Sequence, residues 1–576
     1  MLSAILLWAL CASPGLAFWP APRSMTTGSK VVWLSPDIHV EYRHGNSCYI
    51  YNHGSDASVD KTDLSARNVV KGAVSRALSN ILSEGLVPWK LVPRHELSDF
   101  EPSEKSNATF IRKLQITQTN ASSDDLIVGG NETYSLNIKT DGTATISSSS
   151  VHGILHALQS FSQAFYRHSS NSGSYTNAAP IAISDSPVLA YRGLNLDVAR
   201  NSYPVKAILR TIDALSWNKF DVLHLHMTDS QSWPIEVPSL PELAEKGSYY
   251  KGLTYTPEDI EHIHTYALQR GITVNIEFDM PGHTTSIASA YPDLIAASHA
   301  NPWWKYCAEP PCGTLQLNNP DVDTFLDTLF EDVLPRLKPY TAYFHTGGDE
   351  VNANSYTLDP TLKTNDKQTI AKYIQKLVDR THSHVRAAGL APIVWEEMLL
   401  EWNITLGDDV LVQTWRGEES VAETVKRGHK SLAGSSNYWY LDCGRGGWIN
   451  YGNDDFESGF PFNDYCSPVK NWRLAYSYDP FGGVPEELKH LVVGGEVHLW
   501  SEQTDALSVD DMLWPRASAA GEVMWSGRQD STGTNRSQLD AAPRLAEMRE
   551  RMALRGINLG PVQMVFCTQH NATECA

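Results

Sequence analysis

The chain has 576 residues, 42% of them hydrophobic, and a formal net charge of −20. That length exceeds one ordinary domain and suits a large barrel with a smaller companion. The acidic balance argues against nucleic acid or an anionic membrane surface as a partner, and the 17 Trp and 24 Tyr are residues whose exposed rings stack on the apolar faces of sugars.

Residues 1–17 read as a secretory signal, with a short apolar centre and a small-x-small cleavage site at Gly15-Leu16-Ala17. No other stretch approaches the length of a membrane span, so the expectation is a secreted, extracellular protein. Six Asn-x-Ser/Thr sites, Asn107, Asn120, Asn131, Asn403, Asn535 and Asn571, agree with that route. Beyond Cys11, three cysteine pairs are close in sequence: Cys307/Cys312, Cys443/Cys466 and Cys567/Cys575. Such spacing suits local disulfides in an oxidising compartment. Cys48 is left over, and no Cys-x-x-Cys or Cys/His spacing supports zinc. Nothing in the sequence asks for a metal or cofactor.

Residues 18–95 begin with an extended, Pro-rich stretch and the strand-like Val31-Val32-Trp33-Leu34, then a helical pattern over 66–83. A polar linker follows at 95–106. Alternating segments at 114–117, 134–138 and 143–146, with an Asp141-Gly142 turn, read as strands. A helix from His152 to Tyr166 completes a small α+β domain over 96–180, of which 169–180 reads as a Ser/Asn/Gly-rich connection.

From about 181 to 576 strands and helices alternate. The predicted strands are 190–197, 221–228, 272–278, 342–346, 391–395, 409–414, 430–436 and 491–499, and the predicted helices include 204–216, 256–270, 321–337, 366–388 and 418–428. Continuous apolar strands in βα units argue for the α/β class: a (β/α)₈ TIM barrel, preceded by the small α+β domain. In such barrels chemistry gathers where the strands end at their carboxyl side.

Those ends are chemically unusual. The fourth strand runs through Phe344-His345-Thr346-Gly347-Gly348 into Asp349-Glu350. Adjacent carboxylates can divide the work, one charged and one donating a proton. Other segments bring Arg192 and Asp197, His224, His226 and Asp229, Asp279 and His283, Trp395, Trp415, Tyr440 and Asp442, and Trp500 and Glu502. Aromatic walls with carboxylates and an arginine describe a pocket for a neutral, hydroxyl-rich ring.

The motif His345-x-Gly347-Gly348-Asp349-Glu350 resembles the catalytic signature of the family-20 glycoside hydrolases, the β-N-acetylhexosaminidases. Arg192-Gly193 with Asp197, the His-Leu-His segment ending at Asp229, Pro281-Gly282-His283, Trp500-x-Glu502 and Trp514-Pro515-Arg516-Ala517 are similar too. The resemblance runs from about 110 to 560 and is nearest to secreted fungal members. It implies exo-acting, retaining removal of terminal N-acetylglucosamine or N-acetylgalactosamine from chitooligosaccharides or glycoconjugates. The attacking atom is then the acetamido oxygen of the substrate itself, an exception to the two-carboxylate scheme. By position, Asp349 would orient the acetamido group and Glu350 would serve as general acid, then base. Arg192 and Glu502 would bind ring hydroxyls, Trp395, Trp415 and Trp500 would box the ring, and Tyr440 with Asp442 would meet the acetamido oxygen. Asp229 and His283 would tune Glu350, and Trp472 is the candidate platform for the next sugar. The resemblance also implies a homodimer, and a cleaved, retained propeptide within residues 18–95. Two other readings stand beside this one. A sugar-binding protein on a decayed barrel would have lost the acid, and a hydrolase of sugars lacking the acetamido group would need its own nucleophile.

Overall fold

Eight strands close into a barrel: Tyr191–Asp197, Val222–Thr228, Thr273–Phe278, Tyr343–His345, Ala391–Trp395, Leu411–Gln413, Lys430–Ala433 and Val492–Leu499. They are numbered one to eight below. Every pairing around the ring is parallel. This is a computed structural model, which describes residues 17–52, 59–103, 108–120, 122, 125–127, 130–449, 460–569 and 575. The signal-like segment up to residue 16 and the sequons at Asn107 and Asn571 lie outside them.

Strands one to three are buried at every position. One face fills the barrel and the other meets the surrounding helices, so both faces must be free of solvent. The helices start where local chemistry dictates. Thr256 and Asp259 form a reciprocal capping box ahead of Pro257–Leu268, Asn319 caps Pro320–Leu337, and Asp366 caps Lys367–Ala387. Each helix turns its apolar stripe onto the barrel, and one continuous core results. Among the described residues no helix is long and apolar enough to cross a membrane.

The small domain is a seven-stranded sheet with the helices Ala66–Leu82 and Val151–Gln163 packed together over a shared core. Its construction differs from the sequence expectation in two places. Residues 24–44 form one long strand whose first half pairs antiparallel with Ser174–Asp185 (Ser24↔Ser184). Its second half pairs parallel with Phe110–Gln118 (His39↔Lys113). The segment 18–95, expected to hold a propeptide-like piece and the start of the small domain, thus supplies a strand of the sheet itself. The stretch 169–180, expected to be a connection, contributes most of the strand Ser174–Asp185. The first strand is exposed at every position from Ser24 to Val31, and the second buries Ser174 and Thr176 among its apolar residues, so neither shows a clean alternation.

The two domains meet at the amino-terminal side of the barrel. Trp19 is fully buried there and donates through Nε1 to Ser518 O at 3.1 Å. Trp525, on the barrel helix Arg516–Ser526, enters the small domain's core and donates to Asp185 at 3.0 Å. This junction leaves the opposite, carboxyl end of the barrel open.

Candidate active site

Asp349 and Glu350 follow strand four across a turn that only glycine permits. Gly347 and Gly348 have φ of +68° and +113°, and a Cβ on Gly347 would lie 1.9 Å from Asp279 Oδ1. Glu350 itself is left-handed at φ +52°, as is its neighbour His283 at φ +52°. Two bulky residues in that region are strained and persist only where their surroundings hold them.

The two carboxyls differ in setting. The Asp349 side chain is 11% exposed and that of Glu350 31%. His283 Nε2 lies 3.4 Å from Glu350 Oε2, and its Nδ1 lies 3.0 Å from Asp229 Oδ1. Asp229 Oδ2 reaches His226 Nε2 at 2.8 Å, and His226 Nδ1 reaches Glu277 at 2.6 Å. Burial works against a charged His283, yet Asp229, Asp279 and Asp349 together hold its pKa well above the ordinary histidine value. Asp229 resists burial in the same way, because Arg200 and His283 keep it strongly acidic. Burial, then the charge of Asp279, pushes Asp349 well above the usual carboxylate range.

Four aromatic side chains cluster at the pocket, Trp415 and Trp500 lining it and Trp395 and Tyr440 buried behind them. The ring centroids of Trp395 and Trp500 are 6.1 Å apart, those of Trp415 and Tyr440 6.0 Å, and those of Tyr440 and Trp500 6.1 Å. Trp395 Nε1 is anchored on Glu277 Oε1 at 2.6 Å, and Trp415 Nε1 on Glu397 at 3.0 Å. Burial keeps the Tyr440 phenol protonated, so it can only donate to a carbonyl placed before it. Asp442 accepts the backbone N–H of Trp500 at 3.3 Å, and burial raises its pKa to about 7. Glu502 lies on the rim, its pKa pushed up by burial and then by Glu309. The cavity holds about 590 Å³ and is lined by Glu350, Trp415, Asp442, Trp500 and Glu502 among others, a size that suits a small ligand. A larger hollow of about 710 Å³ runs along residues 236–259, and its lining includes neither Asp349 nor Glu350.

Two expectations are corrected. Arg192 is the second residue of strand one, at its amino-terminal end. It is fully buried against the small domain, where it donates to Glu132, to Lys219 O at 2.8 Å and to Leu189 O at 2.9 Å. A ligand at the carboxyl end cannot reach it. Arg200, just beyond the end of the same strand, points into the site. It pairs with Asp229 at 2.8 Å and Glu309 at 2.7 Å, and its guanidinium lies 5.1 Å from the Trp500 ring. Asp197 holds this loop by accepting the N–H groups of Ala199 and Ser501 at 2.9 and 3.0 Å. Trp472, the candidate platform, is 7% exposed and packs in the barrel's core beside Tyr476. Exposed or half-exposed aromatics do line the pocket, namely Trp303, Trp448 and Tyr465.

Glu309 was missed by sequence reasoning. It sits between Cys307 and Cys312, which are bonded to each other, on a loop with no periodicity to mark it. Cys443–Cys466 and Cys567–Cys575 are also bonded, and Cys48 is exposed and free. Asn120, Asn131, Asn403 and Asn535 are exposed. Among the described residues several His and carboxylate groups approach closely enough to ligate a metal. In the deepest of these, His224 lies 3.0 Å from Glu277 and 2.8 Å from Glu496, as a buried ion-pair network.

The comparisons with known proteins agree with this geometry. Residues 189–528 match the glycosyl hydrolase family 20 catalytic domain, and residues 18–164 match a domain described as beta-acetyl hexosaminidase like. A beta-hexosaminidase of Arthroderma benhamiae is 39% identical over 586 residues, covering 96% of each chain. The human beta-hexosaminidase subunit beta is 31% identical, covering 97% of this chain and 91% of that one. The solved structure of Flavobacterium johnsoniae chitobiase superposes with a TM-score of 0.71 at 26% identity, covering 94% of this chain and 73% of that one. The chain therefore belongs to glycosyl hydrolase family 20, as a β-hexosaminidase.

Proposed function

We propose that this exo-acting β-N-acetylhexosaminidase assigns its two adjacent carboxyls to different jobs. Asp349 accepts the N–H of the substrate's 2-acetamido group and faces the positive charge that develops as the amide oxygen closes on the anomeric carbon. Glu350 protonates the departing oxygen and then activates water, so the configuration is retained. The carrying observation is their unequal placement: Asp349 is the more enclosed, its side chain 11% exposed and within electrostatic reach of Tyr440, while Glu350, 31% exposed, lies at the rim 3.4 Å from His283. A direct nucleophile would need a carboxylate placed below the ring and apart from the acid, whereas these two leave the chain side by side.

Arg200, in place of Arg192, binds the 3- and 4-hydroxyls, and Glu502 the 4- and 6-hydroxyls. Trp395, Trp415 and Trp500 enclose the ring and acetamido methyl, Tyr440 donates to the acetamido oxygen with Asp442 beside it, and His283 with Asp229 orients Glu350. The open side, with Trp303, Trp448 and Tyr465, suits a further sugar of a chitooligosaccharide. Export, glycosylation at the exposed sequons, dimer formation and retention of a cleaved segment within 18–95 belong to the same reading. The long strand 24–44 supports the last point, because sheet hydrogen bonds would hold that segment after a cut near residue 95.

The test is a pair of chromogenic substrates, the 4-nitrophenyl glucoside and its 2-acetamido counterpart. The account predicts that the acetamido compound alone turns over at a useful rate. Comparable rates on both would refute it, and loss of activity in Asp349→Ala is the companion check on that residue.

A further inference from the structure

Asp279 follows strand three and is 1% exposed. Its Oδ1 accepts the backbone N–H of Gly348 at 2.8 Å. It comes this close because Gly347 has no side chain: a Cβ there would also lie 2.4 Å from Asp279 Cα. The double-glycine turn thus admits Asp279, and Asp279 fastens the turn that presents Asp349.

The two carboxyls also face each other. Oδ2 of Asp279 and Oδ1 of Asp349 are buried and meet no donor. One oxygen from each lies within 4.8 Å of the other and of a His283 nitrogen. His283 Nε2 is 4.0 Å from both carboxyls, too far to satisfy either by a hydrogen bond. Two acceptor-only groups shielded from water cannot both ionise cheaply, and the usual outcome is one proton shared between them. The charged surroundings do not remove that constraint. His283 favours ionisation, as does His226 beside Asp279, but Glu277, Glu350 and Glu397 add negative charge around the pair, and Asp229 stands behind His283. Burial is the first reason both pKa values are raised, Asp349 the more strongly, and an acetamido N–H placed against Asp349 favours its anion and shifts the shared proton to Asp279.

We propose that Asp279 is the positioning residue for Asp349 and carries their shared proton when substrate binds. The neutral Asp279 carboxyl donates to one oxygen of Asp349, which stays an anion and keeps its other oxygen for the acetamido N–H. The pair holds one proton before and after binding, so none is exchanged with solvent. The oxazolinium-like charge then meets one net anion in a fixed orientation. This inference rests on the acetamido-binding assignment of Asp349 made above.

Asp279→Asn and Asp279→Ala in the full chain decide it, with Asp349→Ala alongside. Asparagine keeps an oxygen for the Gly348 N–H and an N–H for Asp349, but never carries a charge. Asp279→Asn should keep kcat on the 4-nitrophenyl N-acetylglucosaminide within about tenfold of the parent, whereas Asp279→Ala should lose about 100-fold or more, in kcat rather than KM. If Asp279→Asn is as impaired as Asp279→Ala while melting like the parent, Asp279 works as an anion and the proposal fails. Should Asp279→Ala fold poorly, the asparagine variant decides alone: near-parent kcat supports the proposal and a loss of about 100-fold overturns it. Full activity in Asp349→Ala would instead overturn the underlying assignment of Asp349.

Discussion

Arg192 and Arg200 lie on one strand and the loop that continues it, and replacing each by lysine separates their roles. Both side chains are shielded, at 0% and 6% exposure. At Arg200, lysine can hold one partner, and the forked contacts to Asp229, Glu309 and Gln231, at 2.8, 2.7 and 3.1 Å, cannot all survive. At Arg192 the contacts to Glu132, Lys219 O and Leu189 O face the same limit. Losing two charge-assisted hydrogen bonds at about 1.5–3 kcal/mol each gives about 3–6 kcal/mol in either place. What differs is where the loss is felt. Arg200→Lys should lower kcat/KM per folded molecule by about 100-fold or more, since each 1.4 kcal/mol is about a factor of ten. Arg192→Lys should lower the melting temperature and leave kcat/KM of the folded fraction near the parent value. Initial rates on the 4-nitrophenyl N-acetylglucosaminide, paired with thermal melts of the same samples, read both. A fall in kcat/KM for Arg192→Lys at an unchanged melting temperature would refute the placement.

Glu350→Gln should lose about 10³-fold or more on chitobiose, whose leaving group needs a proton, but far less on a 2,4-dinitrophenyl substrate. It should still bind a thiazoline inhibitor, and equal losses on both substrates would remove Glu350 as the acid. Gly347→Ala should cost about 1–2 kcal/mol for the left-handed φ alone. With the collision against Asp279 added, kcat should fall about 100-fold, in line with one displaced electrostatic partner. A parent-like kcat would show the turn to be permissive. Asp442 has a folded pKa of about 7, above its unfolded value. The folded state therefore binds the extra proton, and stability falls as pH rises from about 4 to about 7. Asp442→Asn should raise the melting temperature at pH 8, have almost no effect at pH 4, and reduce activity at both. A stabilisation independent of pH would contradict the burial of that carboxyl.

The barrel was legible because its strands are buried on both faces, so Leu194 and Leu196, Val222, Leu223 and Leu225, and Val274 and Ile276 show as short apolar-rich segments broken only by single polar residues. The turn at Gly347-Gly348-Asp349-Glu350 was legible because left-handed φ values demand glycine. The strands Ser24–His44 and Ser174–Asp185 were not, since solvent on part of their length leaves no continuous apolar signal. Arg192 misled because side-chain chemistry was weighed without the direction of the strand. Chemistry collects beyond the last residue of a barrel strand, and Arg200, not Arg192, lies there. Trp472 and Trp448 have the same side chain, and only packing distinguishes the first, 7% exposed, from the second, 37% exposed. Glu309 and Asp279 act through contacts with chain segments distant in sequence.

The central claim is that the substrate's own amide oxygen attacks, with Asp349 and Glu350 steering it. Its most direct measurement is kcat/KM for 4-nitrophenyl glucosaminides bearing acetyl, fluoroacetyl, difluoroacetyl and trifluoroacetyl groups. Each fluorine withdraws electrons from that oxygen, so the account predicts a steep, monotonic fall across the series. A flat series, or a sugar found ester-linked to a side chain of this protein, would contradict it.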